Sequence, residues 1–151
     1  VFPDALRQVF AETGMRLDRL EPERGSRGGG PVAQVVASVG VTGDIRCNLV
    51  LCADNRSADG ILHGMTAGLS LPADRLGELP RAAMGEIANQ VGGRAVTLLA
   101  ALGRHCDITP PTVVTADRLD CLLPGPAAAW TARGAFGGLR LIAARERRKS
   151  S

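Results

Sequence analysis

Glu86 and Asn89 are the residues of this chain whose types and spacing best suit chemistry. They stand three positions apart in a segment of helical periodicity, residues 81–102, so both side chains leave the same helical face. A carboxylate accepts from a cationic group; a carboxamide both donates and accepts, and so can orient a water molecule. No nucleophile stands beside the pair and the segment contains no histidine, which disfavours peptide or ester hydrolysis. The pair suits a reaction whose electrophile is activated elsewhere. His63 falls among apolar positions of another helical segment, and His105 follows the end of this one, where a cation suits the helix dipole. Both read as structural, as do Asp44 and Asp107 in turn-like contexts.

Turned at about 100° per residue, the 81–102 segment gathers Met84, Ile87, Val91, Ala95, Leu98 and Leu102 on one side, which should meet a sheet. The opposite side carries Ala82, Glu86, Asn89, Gly93 and Ala100, with Gly85 and Val96 beside it. A solvated helix face normally bears charged pairs at i,i+4. This one is nearly bare, and Gly85, Gly92 and Gly93 each cost about 1 kcal/mol of helix propensity relative to Ala. Such a cost points to close approach by something, read here as a contact surface. The alternative is packing against other helices, in which case a buried Glu86 needs a partner.

The elements that must position this helix follow from periodicity and turn chemistry. Residues 4–20, with Leu6, Val9, Phe10 and Leu17, predict a helix, and residues 21–30, ending in three glycines, a flexible loop. Residues 32–41 and 46–52 are β-branched strands around Thr42-Gly43-Asp44, a hairpin. Helical spacing returns from Ser57 through Ala58, Ile61, Leu62, Met65 and Leu69, and residues 72–80 connect to the long helix, which stops at Gly103. Extended runs follow at Val113 and Val114, 128–132 and 138–143, with Phe136-Gly137-Gly138 as a turn. Like elements come in blocks, which predicts an α+β domain: a largely antiparallel sheet with three helices packed on it. One domain spans 1–144, and 145–151 form a basic, disordered tail.

Composition narrows the function classes. At 151 residues and 45% apolar, the chain can bury a single core, and with 3% aromatics and no Tyr it builds that core from Val, Leu, Ile and Ala. The formal charge of +3 is accounted for by Arg145, Arg147, Arg148 and Lys149 against Glu146. The body is near neutral, and the tail lacks the interleaved aromatics of a nucleic-acid surface. No span approaches the roughly 20 apolar residues of a membrane helix. Cys47, Cys52, Cys106 and Cys121 show no paired zinc spacing and read as buried free thiols of a cytoplasmic protein. Cys47 and Cys52, an odd number apart, should point to opposite faces of a strand.

With these residues in view, the chain resembles the CheX/CheC/FliY family of response-regulator phosphatases. Residues 83–95 carry the family's mark, an E-x-x-N motif at Glu86 and Asn89 running into a small, Gly/Ala-rich stretch. Residues 43–51, 58–68 and 108–114 are similar to the family's first hairpin, second helix and following strand. One E-x-x-N is present, and residues 54–69 lack a second, which favours the CheX branch. The resemblance implies a homodimer acting on a phosphorylated CheY-like receiver domain. That partner supplies the phospho-aspartate, the Mg²⁺ and a lysine, and the chain needs no cofactor of its own. Carried over, Asn89 holds water in line with phosphorus and Glu86 meets the lysine. Ala82, Gly85, Gly93 and Val96 let the receiver sit close. A non-catalytic docking module or dimeric scaffold is the competing expectation.

Overall fold

The computed structural model describes residues 1–15, 17–23, 35–65, 79–115 and 127–145. Among them are three helices and seven strands, and every strand pair is antiparallel. Helix α1 (Phe2–Glu12) begins at Pro3 in its first turn and buries Ala5, Leu6, Val9 and Phe10, positions spaced for one face. It does not continue to residue 20. Gly14 takes φ +79, and the amides of Gly14 and Met15 turn back to the carbonyls of Ala11 and Phe10, at 3.3 and 3.0 Å. This glycine-based C-cap satisfies the orphan carbonyls and stops the helix. Leu17 and Leu20, read with the helix from their spacing, belong instead to β1 (Leu17–Pro22), which pairs with β6.

Strands β2 (Val35–Gly43) and β3 (Cys47–Ala53) form the expected hairpin. Asp54 then caps α2 (Asn55–Met65), its Oδ1 accepting from the Ser57 amide at 2.7 Å. After α3 (Leu79–Ala101) come β4 (Cys106–Ile108), β5 (Thr112–Val114), β6 (Ala127–Gly134) and β7 (Gly137–Arg145). The sheet order is β1-β6-β7-β3-β2-β4, with β5 also on β2. Arg145, assigned to the tail from its charge, is the last residue of β7 and pairs with Cys47. The expected loop lies outside the described residues from 24 onward, as do the tail beyond Arg145, the connector through 78 and Leu69.

The helices share one face of the sheet. Val35, Ala37, Val39 and Val41 of β2 meet Met84, Ile87 and Val91 of α3 in one core with Leu49, Leu51 and Leu141. Alternate residues point the other way, where Val36, Val50, Cys52 and Ile142 form a second, smaller cluster. Cys47 and Cys52 thus take opposite faces, as their spacing requires. Cys47, Cys52 and Cys106 are free and buried; Cys121 lies outside the described residues. Burial, with Cys106 nearby, pushes the Cys47 thiol up to about 11. Burial pushes Cys52 up to about 12, with Arg140 opposing and Glu23 adding to it. No helix among the described residues is long and apolar enough to cross a membrane.

Candidate functional site

Helix α3 carries the site, and its amphipathic stripe seats it. Ala83, Met84, Ile87, Ala88, Val91, Ala95 and Leu99 are buried. Leu102, placed on that stripe by the helical wheel, is 68% exposed. The helix ends at Ala101, and Gly103 (φ +81) closes it with amide bonds from Gly103 to Ala100 and from Arg104 to Leu99. Leu99 takes the buried position in its place.

The three glycines of α3 have different uses. A side chain on Gly92 would stand 3.1 Å from Val39 Cγ1 and 3.4 Å from Ile108 Cγ2, and one on Gly85 would stand 3.0 Å from Val113 Cγ2. Both let α3 lie close over β2, β4 and β5. Gly85, expected on the contact surface, is buried beneath it against Val113, so its lack of a side chain serves packing within the domain. Gly93 alone of the three has no heavy atom of the described residues within 4 Å of an added Cβ. Ala82 is exposed, and Val96 is half-buried against the main core.

The facing wall comes from the edge of the sheet. Strands β4 and β5 both pair with β2, at Val41↔Ile108 and Ser38↔Thr112. Between them Thr109 exchanges two bonds with Gly40: the Thr109 amide donates to the Gly40 carbonyl at 2.9 Å, and Thr109 Oγ1 accepts from the Gly40 amide at 2.8 Å. Pro110 and Pro111 therefore stand where one residue, Val39, lies opposite. Proline has no amide to give the ladder, so this edge bulges out of register. The bulge and the helix enclose a shallow cleft of about 480 Å³, lined by Glu86, Asn89, Ile108, Thr109, Pro110 and Pro111.

The structure thus brings Glu86 and Asn89 together on one lip of that cleft. Glu86 is exposed and Asn89 half-buried. Glu86 Oε1 accepts from Gln90 Nε2 at 2.9 Å, whereas the Asn89 carboxamide makes no side-chain hydrogen bond among the described residues. The cations of α3 are directed elsewhere. Arg81 Nη2 donates to Thr115 Oγ1 at 3.2 Å; Arg94 donates to Gln8 at 3.1 Å and pairs with Glu12, tying α3 to α1. Of the described side chains lining the cleft Thr109 alone carries a hydroxyl, and it is engaged by Gly40. His63, bonded to the Asp59 carbonyl, and His105 are both exposed and outside the cleft. No group of three or more His, Cys, Asp or Glu among the described residues is placed to hold a metal ion. The cleft can therefore present a carboxylate and a water-orienting amide to an incoming group, with no free hydroxyl or thiol beside them among the described residues.

Gln90 and the Thr109–Pro111 wall were not picked out from the sequence as site residues. Gln90 had a readable signal, its i,i+4 spacing from Glu86. The prolines had a weaker one, since a Pro pair inside an extended run marks an edge or a bulge.

Residues 35–132 match the family described as chemotaxis phosphatase CheX. A protein of Thermotoga maritima named CheY-P phosphatase CheX is 36% identical over 81 residues, which are 54% of this chain and 51% of the relative, so the match spans about half the relative's length. A CheX from Desulfovibrio desulfuricans superposes with a TM-score of 0.74 at 18% identity, covering 96% of both chains. The CheX–CheY–BeF3–Mg²⁺ complex from Borrelia burgdorferi gives 0.73 at 21% identity, again over 96% of both. At these identities the superpositions speak for the fold alone, a CheX-like antiparallel sheet with three helices. The family match covers well over half of the chain, including strands β2 to β5 and the helix that bears Glu86 and Asn89: this chain belongs to the CheX family.

Proposed function

We propose that this chain is a phosphatase that hydrolyses the aspartyl phosphate of a CheY-like receiver domain, with Asn89 positioning the attacking water and Glu86 fixing the docking. The observation that carries this reading is the unequal state of the two side chains. At the lip of an open cleft the Asn89 carboxamide has no side-chain hydrogen bond among the described residues, while Glu86 is oriented but paired with no cation of the described residues. A site with no nucleophile of its own fits a substrate already activated on its partner. Phosphoryl transfer asks mainly for positioning and charge stabilisation. The name of the Thermotoga relative and the CheX–CheY complex from Borrelia support the choice of partner.

In this reading α3 lies across the receiver's phosphorylation site. The carboxamide oxygen of Asn89 accepts a hydrogen bond from a water and aligns the water oxygen with phosphorus, opposite the aspartyl oxygen. As the new P–O bond forms, the bond to the aspartate breaks; the carboxylate leaves, and the water's proton passes to the phosphate. Mg²⁺ belongs to the receiver and neutralises charge on the phosphoryl oxygens. Glu86 answers a cation of the receiver, and Ala82, Gly93 and Val96 leave room for its backbone. The working form is a homodimer in the cytoplasm.

Phosphate release from a phosphorylated CheY-like receiver, with Mg²⁺, tests the proposal. The wild-type chain should accelerate release. Asn89→Ala should lower that acceleration by about 100-fold or more, the scale of lost positioning, while still binding the receiver. No acceleration with the host's receivers, alongside measurable binding, would instead make this a docking module.

A further inference from the structure

We infer that Gln90 is a positioning residue for Glu86, one that orients the carboxylate without neutralising it and so reserves its charge for a cation on the docking partner. The partner's identity rests on the proposed function; the orientation does not. Gln90 follows Glu86 by four residues, and its Nε2 donates to Glu86 Oε1 at 2.9 Å, while Glu86 lines the cleft and Oε2 has no hydrogen bond among the described residues. Position i+4 from a Glu is where an exposed helix places Lys or Arg to best effect. Here a neutral amide takes that position on an exposed carboxylate. The two arginines of α3 nearest the site are drawn to Thr115 on one side and to Gln8 and Glu12 on the other. Among the described residues Glu86 is therefore held by an amide and paired with no cation. An unheld Glu would lose side-chain freedom on docking, a cost that weakens binding; Gln90 removes part of that cost in advance.

Three substitutions separate this role from a structural one. Gln90→Ala removes the donor and should raise KM for the phosphorylated receiver by about 1.4- to 2.3-fold, the range such pairs allow, leaving kcat unchanged. Since Ala is the better helix former, Tm should not fall. Gln90→Lys supplies a competing cation in cis and should raise KM further than Gln90→Ala does, with relief as salt screens the new pair. In a Glu86→Ala background, Gln90→Ala should add nothing. Additive effects in that cycle, a loss in kcat at constant KM, or a Lys variant that binds as well as wild type would each overturn the inference. Two readouts stand apart from hydrolysis. The dissociation constant for a receiver activated with beryllofluoride and Mg²⁺ should follow the same pattern. In the free chain, ¹⁵N relaxation of the Gln90 side-chain amide should show order that Glu86→Ala abolishes. If the wild-type chain releases no phosphate, the phosphatase reading falls, yet an ordered amide and the predicted binding pattern would sustain Gln90's role. An amide equally mobile in both proteins would refute it even if phosphatase activity is present.

Discussion

Replacing Gly93 by Ala should stabilise the domain and damage its function. In a helix interior Gly costs about 0.8–1.0 kcal/mol relative to Ala. That gain is usually offset where the new methyl meets a neighbour, but beyond the adjoining residues and the helix's own backbone no heavy atom of the described residues lies within 4 Å of a Cβ added at Gly93. The full gain should therefore appear, and for a chain of this size about 1 kcal/mol raises Tm by roughly 2–4 °C. Gly92→Ala is the internal control. Its methyl would stand 3.1 Å from Val39 Cγ1 and 3.4 Å from Ile108 Cγ2, so the same gain is spent on displacing the sheet and Tm should stay level or fall. Gly93 lies on the Glu86 face, seven residues or about 10.5 Å further along the axis. A methyl there would lift a partner seated on α3, and misplacement by about 1 Å can cost 100-fold in rate. Calorimetry and phosphate release should show Gly93→Ala melting higher while kcat/KM falls at least about tenfold. A lower Tm would refute the open surface at Gly93. A higher Tm with unchanged kcat/KM would place the partner elsewhere.

Two further outcomes follow from burial. Leu99 is 4% exposed and Leu102 is 68% exposed, so Leu99→Ala should cost about 2–5 kcal/mol in denaturant unfolding and Leu102→Ala within about 0.5 kcal/mol. The thiols predict a fall in stability at high pH: Cys47 and Cys52 ionise near 11 and 12 when folded, against 9.0 for the free thiol. Unfolding therefore releases protons above about pH 9, and stability should decline from there to about pH 12, by up to about 1.4 kcal/mol per pH step for each thiol. With no Tyr and a single lysine, Lys149, few other groups titrate in that window. Urea melts at pH 7, 9 and 10.5 should show the decline, and Cys52→Ala should roughly halve it, since Cys47 still contributes; an unchanged slope in that variant would remove Cys52 as a cause.

What local chemistry alone dictates was legible in the residues. A spacing of three on a helix puts Glu86 and Asn89 on one face whatever surrounds them, because the 3.6-residue repeat is a property of the backbone. Gly103 marked the end of α3, and the odd separation of Cys47 and Cys52 set them on opposite faces of β3, for the same kind of reason. Blocks of helices and strands likewise implied an antiparallel sheet covered by helices. Where distant segments compete for the same residues, the sequence underdetermined the outcome. Leu17 and Leu20 fit a helical repeat equally well, yet pairing with β6 and the cap at Gly14 place them in a strand. Three glycines on α3 look alike in sequence, but the approach of Val113, Val39 and Ile108 commits Gly85 and Gly92 to packing and leaves Gly93 open. The Pro110–Pro111 wall exists only because β4 and β5 share β2 and the prolines cannot join its ladder. Such choices depend on contacts far apart in the chain, which no local periodicity encodes; tertiary packing alone set the helix face bearing Glu86 and Asn89 against a wall and made a cleft.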